Sequence, residues 1–141
     1  MSNQFNLGRD CQVTLQGPYG TVKLSIVTGF EAKQVVNNVK VDPLTGPPLN
    51  AKVPRGWSGS FSVDRASDAL DSLVSQIEQG FWASGALGSC DIYQYITELD
   101  GSTTTYHFDN VAISLSNAGN YQADQAVKQT LEFDASTRKR V

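Results

Sequence analysis

Histidine is almost absent from this 141-residue chain: His107 stands alone, beside two cysteines and one methionine. That scarcity excludes much chemistry. A structural zinc site takes four Cys or His ligands, and Cys11 and Cys90 match no metal or redox spacing. Each reads as a buried thiol, a small hydrophobe, over a disulfide partner. His107 lies between Tyr106 and Phe108 with no motif to supply a general-base partner, so it reads as a packed or surface imidazole. No GxxxxGK or GxGxxG is present. Gly56–Ser60 (GWSGS) lacks the second glycine of a nucleophile elbow, and Gly80–Gly88 (GFWASGALG) has no lysine and follows a helix. No catalytic residue, cofactor or metal is expected, and the chain does not read as an enzyme.

Long apolar runs are missing too. Nothing approaches the roughly 20 residues of a membrane span, and the N-terminal MSNQFNLGRD has no apolar core of a signal peptide. The expectation is no membrane insertion and a cytosolic origin. Charge is sparse, at 18% of residues, and net −3. Three of the eleven basic side chains fall in the last four residues, 138–141. The other 137 residues therefore set eight basic against fourteen acidic groups and carry −6. An acidic body argues against general nucleic-acid binding, which uses Lys and Arg to displace phosphate counterions. Trp57, Phe81 and Trp82 accordingly read as core or interface anchors, not as nucleobase stackers.

What is present is alternation of period two, the strand signal. Thr21–Gly29 places Val22, Leu24 and Ile26 on one face, and Ala32–Val41 follows as a weaker strand. Gly59–Val63 puts Phe61 and Val63 together. Asp91–Leu99 has apolar or aromatic residues on both faces. In Thr103–Ser116 the pattern slips: Tyr106 and Phe108 are even, whereas Val111, Ile113 and Leu115 are odd. One face can hold both sets only with an extra residue, which predicts a β-bulge at Asp109-Asn110 where the strand bends between two sheets. Ala126–Ala135 directs Val127, Leu131 and Phe133 inward and Lys128, Thr130, Glu132 and Asp134 outward.

One segment has helical spacing. Ala66, Ala69, Leu70, Leu73, Val74, Ile77 and Phe81 recur every three or four residues. The predicted helix spans 64–80, with Asp64 as N-cap, Asp68 and Asp71 near the positive dipole end, and Gly80 as the left-handed stop, extension through Phe81-Trp82 being the alternative. The predicted fold is mainly β with one α-helix: a single domain over 1–141, an antiparallel β-sandwich or barrel of roughly six or seven strands flanked by a helix. Asp42–Gly56 (DPLTGPPLNAKVPRG) holds four of the five prolines and reads as a fifteen-residue loop, stiff and extended but ordered by nothing of its own.

The C-terminal third, Tyr106-His107-Phe108-Asp109-Asn110-Val111 with Ile113 and Leu115, then Gly119–Asp124, then Val127, Gln129, Leu131, Phe133 and Ala135, resembles the tail tube proteins of contractile-tailed bacteriophages. These are relatives in fold of the type VI secretion tube protein, and the element order of the whole chain is similar to theirs. The resemblance implies hexameric rings whose sheets join edge to edge around a lumen, and rings stacked into the tube that passes DNA at ejection. The partners it implies are further copies of the chain, the tail sheath, baseplate and tape-measure proteins, in a virion tail assembled in the host bacterial cytoplasm.

It also implies that the proline-rich segment reaches the adjacent ring, through Asp42, Pro43, Leu44, Pro47, Pro48, Leu49, Lys52, Pro54 and Arg55. The acidic balance would then line the lumen, with Glu98, Glu132 and Asp134 as candidates, and repel DNA phosphates; ordinary surface charge is the equal alternative. The basic tail at 138–141 pairs with a neighbouring ring or frays. Two other readings stand beside this one: a baseplate or tail-terminator component of the same fold, and a monomeric β-barrel with Trp57, Tyr93 and Tyr95 lining a small-ligand pocket.

Overall fold

A computed structural model of the protein describes residues 4–18, 20–24, 27–66 and 68–141, apart from the side chains of Lys23 and Leu24. Among them are eight strands and one α-helix: β1 Cys11–Gly17, β2 Gly20–Leu24, β3 Val27–Val41, β4 Leu49–Asp64, α1 Ala69–Ser84, β5 Cys90–Thr97, β6 Thr103–Asn117, β7 Lys128–Ala135 and β8 Thr137–Arg140. All pairings are antiparallel, in the order β2-β1-β5-β6-β7-β4-β3, with β8 also on β6. The mainly-β fold with a single helix is as the sequence predicts, with eight strands in place of six or seven.

The long β6 makes a sandwich of this sheet. Its first half pairs with β5 and its second half with β7. Between them the register against β5 jumps from Phe108 to Val111 while β5 moves from Ile92 to Cys90. Asn110 takes φ 52° at that point. The predicted bulge at Asp109-Asn110 is therefore present, and it lets Phe108 and Val111 both reach zero exposure on one face. The bend folds the two halves together: Phe108 meets Phe133 at 5.7 Å and Phe30 at 6.0 Å between ring centroids. Val13, Leu15 and Ile92 complete one side of the core, and Phe61, Val63 and Leu131 the other. Burying each such side chain stabilises the fold by about 1.5–3 kcal/mol.

Helix α1 closes one end of this core with Leu70 and Leu73. It starts five residues later than predicted. Asp64 is not its cap, because Asp64 still pairs with Lys128 as the last residue of β4; Asp68 occupies the N-cap position instead. Gly80 does not stop it either. The alternative extension through Phe81 and Trp82 is the one that forms, and Gly85, at φ 75°, gives the left-handed cap with its N–H donating to the Phe81 carbonyl. Asp71 acts as a brace. It accepts from Arg65 Nε at 2.9 Å and from Gln129 Nε2 at 2.7 Å, and Gln129 is a fully buried polar side chain that also donates to the Ala118 carbonyl.

The remaining corrections concern strands. Thr21–Gly29 falls on two described elements, β2 ending at Leu24 and β3 beginning at Val27, and residues 25–26 lie outside the described residues. The shared face expected of Val22, Leu24 and Ile26 rests on Ile26 and the Leu24 side chain, which lie outside the described residues. β1 was not anticipated. It carries two of the most buried residues, Val13 and Leu15.

Candidate functional site

Register alone builds a second surface opposite the core. Across the half-sheet β3-β4-β7-β6 the inward rows are Phe30-Phe61-Leu131-Leu115 and Ala32-Gly59-Phe133-Ile113. The alternate residues form outward rows Glu31-Ser60-Glu132-Ser114 and Lys33-Ser58-Asp134-Ala112. Apart from Ala112, these two rows are polar, with three serines, three carboxylates and one lysine, and the same face continues through Ser62-Thr130 to the pair Asp64-Lys128. On the inward side Gly59 lets the strands pack closely on the core: a Cβ there would fall on the Glu31 carbonyl oxygen and press within 2.8 Å of the Phe133 ring.

Both margins of this half-sheet are open. β3 pairs only with β4, and beyond Val111 the β5 side of β6 carries no strand among the described residues. Unpaired N–H and C=O rows of this kind are templates for pairing with another chain.

The Asp42–Gly56 segment is corrected in kind. It is not a loop without order of its own: Leu49–Gly56 belongs to β4 and pairs with β3 in a long hairpin whose turn is Asp42–Pro48. Arg55 is the extra residue between the pairs Val36↔Pro54 and Val35↔Gly56, and Gly56 takes φ 120° beneath the Ala135 carbonyl. Pro54 is tolerated at this bulge because β7 reaches β4 only from Trp57 onward, so no third strand needs its missing N–H. The hairpin projects apolar residues into solvent: Leu44 is fully exposed, Leu49 is 61% exposed, and Val41 is more than half exposed. Asp42, Pro43, Leu44, Pro47 and Pro48 thus share the exposed turn. Leu49, Lys52, Pro54 and Arg55 lie exposed along β4.

A second apolar feature lies beside the helix. Val74, Ile77, Phe81, Trp82, Leu87 and Ile113 line an open groove of about 210 Å³, with Trp82 and Leu87 each about three-quarters exposed. Phe81 and Trp82 therefore lie at the surface, in edge-to-face contact at 5.2 Å.

The C-terminal residues 138–141 do not fray. They include most of β8, where Arg138 pairs with Phe108 in register and lays its guanidinium 3.6 Å from the Tyr106 ring centroid and 4.8 Å from Trp57. This cation–π stack explains how a basic strand packs on the core. Trp57 belongs to the Phe108 face, whereas Tyr93 and Tyr95 stack on each other on the opposite face of β5. The three do not line one pocket, which removes the basis of the ligand-barrel reading. Of the candidate acids, Glu132 and Asp134 share the outer face with Glu31. Glu98 stands apart at the β5–β6 turn, accepting from Thr104 Oγ1 at 2.7 Å. Sequence reasoning missed Glu31 and the row Ser58-Ser60-Ser62, although its alternation with Trp57, Gly59, Phe61 and Val63 was visible.

Cys90 is buried and free, with burial and then Asp91 raising its pKa; Cys11 is free and half-buried. No described helix is long and apolar enough to cross a membrane.

No protein-family model and no curated protein sequence matches the chain. Solved structures do match, over nearly the whole length. A chain of an extracellular contractile injection system, the PVC sheath-tube complex in its extended state, gives a TM-score of 0.62 at 10% identity, covering 92% of this chain and 88% of its own. The anti-feeding prophage cap (tube terminating cap) gives 0.62 at 10%, covering 100% and 95%. The tail of the gene transfer agent particle, of C6 symmetry, gives 0.58 at 11%, covering 97% and 99%. The structural neighbours are thus components of contractile injection systems and phage-like tails, and the chain has their fold.

Proposed function

We propose that the chain is a structural, non-enzymatic subunit of a phage-like tail, and specifically of its inner tube. The half-sheet β3-β4-β7-β6 carries this reading, because both of its margins are open and its outer face is small and polar. Pairing β3 of one copy with β6 of the next removes both exposed edges at once and continues the sheet around a ring. The matched gene transfer agent tail has C6 symmetry, which supports a hexameric ring. The outer face then lines the lumen, where Glu31, Glu132 and Asp134 outnumber Lys33 and repel the phosphates of passing DNA.

The β3–β4 hairpin, with Leu44 and Leu49 at its end, docks on an adjacent ring, so rings stack into a tube. Sheath, baseplate and tape-measure proteins are the partners of that tube, and the tail is assembled in the host bacterial cytoplasm. A second reading, a terminator or baseplate component, is favoured by the match to the anti-feeding prophage cap; high copy number per particle distinguishes the tube subunit.

Sedimentation velocity over a range of concentrations tests the proposal. Rings or longer polymers of the pure chain support it, and a single monomer boundary at the highest concentration contradicts it.

A further inference from the structure

The bulge that folds the sheet also gathers three potential ligands. Asp91 is on β5, and His107 and Asp109 are on β6 just before the irregular residue Asn110. One ligand atom from each lies within 4.8 Å of the others. The three residues come from adjacent strands on the face opposite Ile92 and Phe108. All are half-buried.

The imidazole supplies a separate observation. His107 Nε2 is fully enclosed, although the side chain as a whole is 24% exposed, and it has no hydrogen-bond partner. Asp91 Oδ1 lies 3.5 Å from it. The ring cannot swing away easily, because it stacks on Tyr93 at 4.5 Å and 3° from parallel. An enclosed nitrogen without a partner costs free energy unless something satisfies it.

We infer that Asp91, His107 and Asp109 form a binding site for a divalent transition-metal ion of the Zn2+ or Mn2+ type. One imidazole and two carboxylates are a borderline-to-hard donor set that suits these ions. Ca2+ takes six to eight oxygens and finds too few here. Bond lengths of about 2.0–2.2 Å put tetrahedral ligands about 3.4 Å apart, so the three groups close on the ion by side-chain adjustment alone. Open coordination positions are left for water. Lys139 is the opposing group: it pairs with His107 in register on β8, and no acid lies within ion-pair distance of it among the described residues. Its ammonium disfavours a cation at the site and sets the affinity below that of a closed four-ligand centre. A bound ion would tie β5 to β6 beside the bulge.

The test is calorimetric titration of untagged, chelator-treated full-length protein with Zn2+ and with Mn2+, using Ca2+ as the contrast. The expected result is one ion per chain, a rise in melting temperature with added metal, and no saturable Ca2+ binding. His107→Gln and Asp109→Asn should each weaken binding at least about tenfold, and Lys139→Ala should tighten it. Circular dichroism confirms that each variant is folded, and Asp91→Asn substitutes for either that is not. Absence of saturable Zn2+ and Mn2+ binding, or binding unchanged in folded His107→Gln, overturns the inference. Neither result depends on whether the chain assembles.

Discussion

The bond between Gln129 and Asp71 should couple the helix to the sheet by a measurable amount. Gln129 is 1% exposed, and its one amide nitrogen donates to Asp71 Oδ1 at 2.7 Å and to the Ala118 carbonyl at 3.1 Å. A hydrogen bond to a charged acceptor contributes about 1.5–3 kcal/mol. The Asp71 side chain is 34% exposed, so water screens it and the lower half of that range applies. Gln129→Leu keeps the volume and removes the amide. The apolar replacement recovers part of the loss, giving a destabilisation of about 1 kcal/mol.

Asp71→Ala leaves one of the two amide hydrogens of buried Gln129 without its acceptor, the other still reaching the Ala118 carbonyl, and also releases Arg65; the stranded donor makes this the costlier single change, at about 2 kcal/mol. In the double variant no buried donor is stranded, so its loss should fall short of the sum by about 1 kcal/mol. Urea unfolding of the four proteins under identical conditions measures this, as midpoint shifts at constant slope. Additivity within about 0.3 kcal/mol would refute the reasoning, because uncoupled sites behave that way.

Three further outcomes follow from particular residues. Gly59→Ala should destabilise by about 1–3 kcal/mol, since the added carbon meets backbone of β3 that cannot rotate aside; thermal unfolding checks it, and an unchanged melting temperature contradicts the close approach. Cys11 should react with a thiol reagent at pH 8 well before Cys90, whose pKa is raised by burial and by Asp91; mass spectrometry of partly labelled protein reads the order. Asp100 has its pKa lowered from 3.8 by the hydroxyl and backbone N–H of Ser102. Its contribution to stability is therefore present above about pH 3.8 and lost as pH falls through the lower folded value. Ser102→Ala should raise the Asp100 titration followed by NMR, and an unmoved curve would count against the turn.

The clearest sequence signal was the one that broke a rule. The even-to-odd slip between Phe108 and Val111 located the bulge because only an extra residue lets both be buried. The prolines misled for a physical reason. A proline is incompatible with a strand that is paired on both sides, but the outer part of β4 is paired on one side only, and that fact depends on where β7 ends. Helix limits failed in the same manner. Asp64 and Gly80 are good local punctuation, but β4 pairing with β7 claims Asp64, and nothing near Gly80 requires a left-handed turn.

β8 was illegible because three basic residues in a row look solvated, and only the aromatic pair Tyr106 and Trp57, distant in sequence, gives Arg138 a place to lie. The outer face of the half-sheet falls between these cases. Its serine alternation was readable in β4, but that Glu31 and Glu132 flank the same serine depends on the register of three strands.

A tube of this chain requires that the two open margins of one half-sheet find each other in neighbouring copies. Cryo-electron microscopy of concentrated, purified chain tests this directly. The predicted image is a six-fold ring or tube whose wall is a continuous sheet, with β3 hydrogen-bonded to the 112–117 end of β6 in the next copy. Monomers alone, or a ring in which those two margins face solvent, would contradict it.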